Sequence, residues 1–421
     1  MEPFNFVHAA DLHLDSPFRG LCEADEELGE ILRESTFEAF NRVIDLCIDR
    51  EADFLVVSGD VYDSADRSLR AQLRFRDGLK RLAEKGIPTF VAHGNHDPLD
   101  KSIAAIEWPG EVHIFGGEDV ESFPAIRAGR EVAQVYGISF PTQKVESNLA
   151  VRFHREDSAP FAVGVLHCNV GTDTGHENYA PCSLDDLIKA GMDYWALGHV
   201  HTRNVLHPAD PMVAYPGNTQ ARSPVECGPH GCLFVQVDAN GRPEAEFVTV
   251  DSVRWAVDEI SVSGIRTEEE LIHKIQNYYE KTRGESEGRS TILRLRLTGS
   301  TSLHRYLSRT ENVEEVLRIL REDEGRTSPF VWIDRIVPAT QPEVDLDALR
   351  RGADFLGELL KGFQSCREDP ARFNALKSSL DSLFSHRRWK KFLSPPTDAQ
   401  LREWLDRAEM LCVGHFIKED E

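Results

Sequence analysis

The chain has 421 residues, of which 41% are hydrophobic and 28% are charged, and it carries a formal net charge of -23 at pH 7. This length supports two or three domains with buried cores, and no apolar run reaches membrane-spanning length. The acidic balance disfavours a simple surface for a polyanion such as nucleic acid, because phosphate backbones are usually met by Lys and Arg. Bound divalent metals can nevertheless reverse the local charge of a site.

The start of the chain and its cysteines predict a cytoplasmic location. The first residues lack the basic start and the long apolar core of a secretory signal. The eight cysteines are scattered and form no Cys-x-x-Cys pair. That spacing predicts neither a zinc ribbon nor a disulfide framework.

Strand and helix patterns alternate through the first quarter of the chain. Apolar runs at 4–10, 54–57 and 88–92 predict three strands. Apolar residues at helical spacing predict a helix over 33–50, and a leucine-rich helix follows the second strand. Continuous apolar strands are typical of sheets that are covered on both faces, so we predict a layered α/β domain.

The later patterns predict the limits of three regions. Further strands complete a first domain over residues 1–250, and they are predicted at 132–138, 161–166, 194–197, 213–215 and 232–237. A smaller α+β module with three strand patterns and two helix patterns is predicted over 254–340. The spacing over 341–421 predicts a helical C-terminal region.

Five short polar clusters each follow a strand-like run. They are Asp11-Leu12-His13, Gly59-Asp60, Gly94-Asn95-His96-Asp97, His167 and Gly198-His199-Val200-His201. In α/β sheets, ligands bind beyond the carboxyl ends of the strands, and Asp, Asn and His are ligands of divalent metals. One such cluster alone is more often a turn or a satisfied core histidine, but five in this order favour a single metal-binding active site.

These clusters resemble the motifs of the calcineurin-like metallophosphoesterases over residues 4–240. Four longer strings resemble the DNA repair exonuclease branch of that superfamily, which includes the bacterial SbcD nuclease subunit, and within it the YhaO-type proteins in particular. The strings lie at residues 6–18, 176–181, 193–201 and 215–222. The resemblance implies a metallophosphoesterase domain over 1–250, a capping domain over 254–340 and a C-terminal region that docks on a partner.

The resemblance also implies two metal sites that share one ligand. The implied ligands of metal one are Asp11, His13, Asp60 and His201. The implied ligands of metal two are Asp60, Asn95, His167 and His199. Asp60 would bridge the two ions, which suits an ionised carboxylate with two oxygens. Nitrogen and oxygen ligands without a thiolate allow manganese, iron or zinc, and the resemblance favours manganese.

The resemblance places His96 at the substrate phosphate, where it would help the leaving oxygen to depart. Histidine suits this catalytic role because its pKa lies near working pH. Asp97 either orients His96 or belongs to an ordinary turn. Asp63 stands where some relatives carry a second catalytic histidine, so the resemblance supplies no second acid–base group. Three residues next to the clusters are predicted to be structural, namely His8, His93 and Cys168.

Two enzymatic functions use such a site. The first is a DNA exonuclease or endonuclease in DNA repair, which hydrolyses phosphodiesters with a metal-activated water and has an SMC-like coiled-coil ATPase as its partner. Relatives in this branch often dimerise, so a homodimer is an option. The basic positions Arg294, Arg296 and 386–391 could meet DNA, although each also fits a solvated surface.

The second function is a phosphatase or phosphodiesterase for a small-molecule or protein phosphoester, which the acidic charge favours. A non-catalytic scaffold is disfavoured, because every implied ligand and His96 are present. The longer strings lead us to predict the nuclease.

Overall fold

A computed structural model describes residues 1–16, 18, 26–63, 68–100, 106–171, 178–324, 329–385 and 394–416. The chain forms two compact units. The first unit comprises Met1–Val257, Lys281–Arg294 and Asp323–Asp334. The second unit comprises Asp258–Glu280, Leu295–Glu322 and Arg335–Glu421. Within the described ranges, every helix is too short or too polar to span a bilayer.

Within the described residues, the first part of the chain contains twelve strands, three helices and a 3₁₀ turn at Ala150–Arg152. Its elements are β1 (Phe4–Ala9), α1 (Glu26–Asp49), β2 (Phe54–Ser58), α2 (Leu69–Ala83), β3 (Thr89–Ala92), β4 (Val112–Ile114), β5 (Glu121–Arg127), β6 (Arg130–Gly137), β7 (Ala162–His167), α3 (Leu184–Lys189), β8 (Tyr194–Gly198), β9 (Asn204–His207), β10 (Met212–Tyr215), β11 (Gly231–Val237) and β12 (Pro243–Thr249).

The remaining elements are β13 (Val253–Ser261), α4 (Glu268–Glu285), β14 (Ser290–Thr301), α5 (His304–Leu307), α6 (Thr310–Glu324), β15 (Val331–Pro342), α7 (Leu346–Arg350), α8 (Phe355–Glu368), α9 (Pro370–Ser385) and α10 (Asp398–Phe416). Strands β13, β14 and β15 form a three-stranded sheet in that order. The C-terminal helical pattern is interrupted, because Asp354 begins α8 by accepting a hydrogen bond from the backbone N–H of Gly357.

Two six-stranded sheets build the first unit. Their strand orders are β12-β11-β1-β2-β3-β4 and β5-β6-β7-β8-β10-β9. Phe6 and Phe54 of the first sheet pack into one core with Val163 and Tyr194 of the second. The opposite face of the first sheet packs on α1 and α2, and that of the second packs on α3. The layered α/β fold predicted from the sequence is therefore confirmed.

The central strands are buried along their whole length, as the continuous apolar runs predicted. Every residue of β2, β3, β7 and β8 is buried. Because these parallel strands end at one edge of each sheet, the loops that follow them lie close together.

Candidate metal centre

The loops after β1 and β2 lie side by side and share an unusual backbone. The N–H of Asp11 donates to the carbonyl of Gly59 over 3.1 Å, and the N–H of His13 donates to the carbonyl of Asp60 over 3.0 Å. Three of these residues have positive φ angles, 52° at Asp11, 43° at His13 and 49° at Asp60, and His199 has a φ of 101°. Such angles are uncommon outside glycine and cluster at functional sites, where the surrounding structure holds them in place.

Two glycines let these loops approach each other. A Cβ on Gly59 would lie 2.2 Å from Nδ1 of His167, and a Cβ on Gly94 would lie 2.3 Å from Oδ1 of Asp60. Both distances are far below van der Waals contact. The glycines of the Gly-Asp and Gly-Asn-His-Asp motifs are therefore required by close packing around Asp60 and His167.

The first cluster contains Asp11, His13 and His201, whose potential ligand atoms lie within 4.8 Å of one another. Nδ1 of His13 lies 3.1 Å from a carboxylate oxygen of Asp63, and Nδ1 of His201 lies 2.7 Å from one of Glu226. Ionised carboxylates only accept hydrogen bonds, so both Nδ1 atoms donate, and in the neutral imidazole each Nε2 then carries the lone pair that can bind a metal. The two Nε2 atoms face each other at 3.3 Å. Two facing lone pairs repel unless a cation lies between them, so this donor set fits a metal ion.

One oxygen of Asp60 lies between the two clusters. Its Oδ2 is 3.8 Å from Nε2 of His13 and 3.4 Å from Nε2 of His167. Its Oδ1 accepts a hydrogen bond from the backbone N–H of His96 over 2.9 Å. Oδ2 thus faces a histidine nitrogen of each cluster, as the shared ligand implied by the resemblance would.

The second cluster gathers around His167, which is fully buried. Its Nδ1 donates to the carbonyl of Ser58 over 3.0 Å, and its Nε2 lies 2.9 Å from Oδ1 of Asn95. Nε2 therefore faces the oxygens of Asn95 and Asp60. Burial disfavours the charged form of His167, but Asp60, Asp11 and the carbonyl of Ser58 together more than offset this and raise the pKa of His167 to about 9. A site that attracts a proton so strongly is equally suited to a metal cation.

His199 links the clusters through Asp11. The backbone N–H of His199 lies 3.1 Å from each carboxylate oxygen of Asp11. The ring of His199 lies 5.3 Å from the ring of His167, measured between centroids. Five of the seven predicted ligands lie in groups that could hold a metal, namely Asp11, His13, Asp60, His167 and His201. Asn95 adjoins them through Nε2 of His167, and His199 through its backbone N–H and its ring.

His96 lies beside the first cluster and is open to solvent, with 38% of its side chain exposed. Its ring centroid is 5.0 Å from that of His13. Nδ1 of His96 lies 2.9 Å from Oδ1 of Asp63. Burial opposes protonation, but the hydrogen bond to Asp63 raises the pKa of His96 above its ordinary value. His96 is therefore held in a form that can donate a proton.

Three residues around this site were not predicted, namely Asp63, Arg222 and Glu226. Oδ1 of Asp63 accepts from both His13 and His96, while Oδ2 accepts from Arg222 over 2.8 Å. The resemblance treats Asp63 only as a position where some relatives carry histidine, and the signal that could have indicated its role is its spacing from Asp60. Arg222 ends one of the family-like strings, whereas the position of Glu226 in the chain carries no signal.

Asp97 fixes a loop. Its Oδ1 accepts from the N–H of Gly94 over 2.7 Å. Its Oδ2 accepts from the N–H of Val61 and from Nδ1 of His93, each over 2.8 Å. The carboxylate hydrogen-bonded to His96 is that of Asp63, so of the two roles weighed for Asp97 the geometry favours the turn.

The other residues next to the clusters lie in the core. His8 is buried, its Nε2 lies 2.7 Å from the hydroxyl of Ser58, and burial lowers its pKa to about 3. Cys168 is a buried free thiol. The predicted string at 176–181 lies partly outside the described residues, and the basic run at 386–391 lies wholly outside them.

Comparison with known proteins agrees with this site. The family model for calcineurin-like phosphoesterases matches residues 4–203, and that for the middle domain of metallophosphoesterase YhaO matches residues 255–341. Over 406 residues the chain is 35% identical to the uncharacterized metallophosphoesterase YhaO of Bacillus subtilis (strain 168), with 96% of each chain covered.

Two further similarities are weaker. The chain is 23% identical over 318 residues to the DNA double-strand break repair protein Mre11 of Thermoplasma acidophilum, covering 70% of this chain and 77% of that protein. Among solved structures, TT1561 of Thermus thermophilus is 13% identical with a TM-score of 0.33, over 59% of this chain and 100% of that chain.

Proposed function

The chain belongs to the calcineurin-like metallophosphoesterase family, and from this premise we propose that it is a two-metal phosphodiesterase that cleaves DNA. The observation that carries the two-metal part is the position of Asp60. Its Oδ2 lies within 4 Å of a histidine nitrogen from each cluster, at 3.8 Å from His13 and 3.4 Å from His167. The carboxylate of Asp60 would thereby contribute to both metal sites.

The proposed ligands divide as the resemblance implied. Asp11, His13, Asp60 and His201 would hold metal one, and Asp60, Asn95, His167 and His199 would hold metal two. When bound, two divalent ions would polarise the phosphoryl group, offset charge on the attacking and leaving oxygens and lower the pKa of a water. The ligands offer only nitrogen and oxygen, which allows manganese, iron or zinc, and the resemblance leads us to propose manganese.

His96 would supply the proton for the leaving oxygen. Asp63 orients the ring through Nδ1 and favours the imidazolium form, so Nε2 is the remaining atom that can donate. The His96 side chain is 38% exposed, so a substrate can approach it from solvent. The geometry thus supports an acid role for His96, separate from metal binding.

DNA as the substrate is supported by the similarity to Mre11. That similarity extends over 318 residues, whereas the phosphoesterase model matches only 4–203, so it includes sequence outside the catalytic domain. The two arginines considered from the sequence add no support. Arg294 donates to Asp334, and Arg296 lies 3.6 Å from Glu259. Bound divalent metals would add positive charge at the site itself.

We propose an SMC-like coiled-coil ATPase as the partner, docked on the C-terminal helices. Trp404 and Leu411 are spaced seven residues apart on α10 and are 43% and 74% exposed. Apolar residues at this spacing can pack against a partner helix. A homodimer is the alternative use of such a surface.

A second candidate is a phosphoesterase for a small-molecule or protein phosphoester. The net charge of -23 favours it, because DNA is itself a polyanion. The same ligands and His96 would serve this reaction.

The test is manganese-dependent cleavage by the purified full-length protein. End-labelled single-stranded and double-stranded DNA would be compared with bis-p-nitrophenyl phosphate, using wild type and His96→Ala. We expect wild type to cut DNA and His96→Ala to lose cleavage while retaining bound manganese. Cleavage of the small ester alone, with or without the added ATPase, would refute DNA as the substrate.

A further inference from the structure

A closed ring of contacts surrounds the first cluster, and the side-chain contacts in it are hydrogen bonds except where the two histidines meet. Nδ1 of His13 donates to Oδ1 of Asp63 over 3.1 Å, and Oδ2 of Asp63 accepts from Nη1 of Arg222 over 2.8 Å. The backbone N–H of Arg222 donates to Oε2 of Glu226 over 2.7 Å. Oε1 of Glu226 accepts from Nδ1 of His201, also over 2.7 Å. The ring closes where the Nε2 atoms of His201 and His13 face each other at 3.3 Å.

Arg222 joins the two carboxylates of this ring. Its side chain binds Asp63 and its backbone binds Glu226. Nη1 of Arg222 also donates to the hydroxyl of Ser16 over 3.2 Å, and that hydroxyl donates to Asp63. Only 19% of the Arg222 side chain is exposed. The guanidinium of Arg222 therefore makes internal hydrogen bonds with Asp63 and Ser16.

The second cluster is held by the main chain. Nδ1 of His167 donates to the backbone carbonyl of Ser58, and the backbone of Gly59 packs directly against the same nitrogen. Backbone contacts of this kind do not depend on the side chain of Arg222. A change at Arg222 should therefore act on one cluster and spare the other.

We propose that Arg222 is a positioning residue for metal one. By joining Asp63 to Glu226, it holds the imidazoles of His13 and His201 so that both Nε2 atoms face one cation. Loss of such outer hydrogen bonds typically weakens metal binding by about 10–100-fold. Arg222→Met opens the ring only on the Asp63 side, so we expect a loss of about tenfold at metal one and no change at metal two.

The test is calorimetric titration of manganese into the chelator-treated full-length protein, which requires no DNA. His201→Ala and Asn95→Ala would identify the binding steps of metal one and metal two. Arg155→Met is the matched control, because it removes an arginine–carboxylate pair of 2.7 Å with Asp193. We expect Arg222→Met to weaken only the step that His201→Ala removes, Arg222→Lys to recover part of the affinity, and Arg155→Met to bind as wild type.

If the ring acts as one unit, substitutions at Arg222 and Glu226 should have coupled effects on the affinity for metal one. Glu226→Gln opens it on the other side, so the Arg222→Met and Glu226→Gln effects on metal one should be less than additive in free energy. Equal weakening of both steps, unchanged binding in Arg222→Met, or additive effects would overturn the proposal. The inference rests on the two-metal centre proposed above. If the wild-type protein binds fewer than two manganese ions, the two-metal centre itself is wrong. If wild type and every Arg222 variant bind two ions with the same affinities, only the role of Arg222 is wrong.

Discussion

Replacing Asp97 by Asn should both destabilise the fold and loosen the active-site loop. Asp97 is fully buried, and its carboxylate accepts from Gly94, Val61 and His93 over 2.7–2.8 Å. Asn replaces one acceptor oxygen with an NH₂ group, which would face a donor. A hydrogen bond to a charged group contributes about 1.5–3 kcal/mol, against about 0.5–1.5 kcal/mol for a neutral one. Losing one charged bond and weakening the others gives a cost of about 3 kcal/mol.

Denaturant unfolding of the metal-free protein measures this cost. Asp193→Asn is the control, because Asp193 also accepts from a backbone N–H, that of Ala162 over 2.7 Å, but remains partly exposed. We expect about 1 kcal/mol for the control. Asp97→Asn should also weaken manganese at metal two, since the loop it fixes carries Asn95. A loss below about 1 kcal/mol, with metal binding unchanged, would refute the argument.

Three further predictions concern pH, stability and metal removal. Because Asp63 raises the pKa of His96, Asp63→Asn at saturating manganese should move the alkaline fall of kcat to lower pH, and an unmoved profile would exclude His96 as the acid. The side chain of Glu409 is 3% exposed and pairs with two arginines. Glu409→Gln should therefore lower the free energy of unfolding by about 3 kcal/mol, measured with denaturant. The control Glu403→Gln breaks an exposed pair on the same helix and should lower it by less than about 1 kcal/mol. The metal-free protein should become less stable as pH rises from 6.5 towards 9. Protonated His167 has a raised pKa in the folded protein, so its contribution to stability is complete below pH 6.5 and is lost as the pH approaches 9. Thermal unfolding at saturating manganese should not show this dependence on pH.

The sequence predicted the interior of the fold better than its edges. The strands β1, β2, β3, β7 and β8 were recognised because burial on both faces leaves continuous apolar runs. Four strands were missed, and they are the four edges of the two sheets: β4, β5, β9 and β12. Edge strands are partly exposed, as the pattern of β12 shows, so their residues do not form an apolar run. Helix α1 starts earlier than predicted, because the acidic stretch before residue 33 continues the helix.

The candidate site divides in the same way. Its ligands follow strands directly, so their motifs are local and could be recognised in the sequence. The surrounding partners come from distant positions, since Arg222 contacts a carboxylate 159 residues away. Nothing in the local pattern of Glu226 indicates that its carboxylate holds His201. Only the folded chain shows which carboxylate serves which histidine.

The left-handed backbone at Asp11, His13, Asp60 and His199 has a consequence for how this protein would change under mutation. A side chain in that region costs about 1–2 kcal/mol relative to glycine. At such positions glycine relieves backbone strain, so loss of a ligand is partly compensated in folding. A population of variants selected for stability alone would therefore drift towards glycine here and lose the metals. Asp and His are among the side chains that adopt positive φ most readily, so these four positions combine a metal-binding side chain with an uncommon backbone conformation at moderate strain.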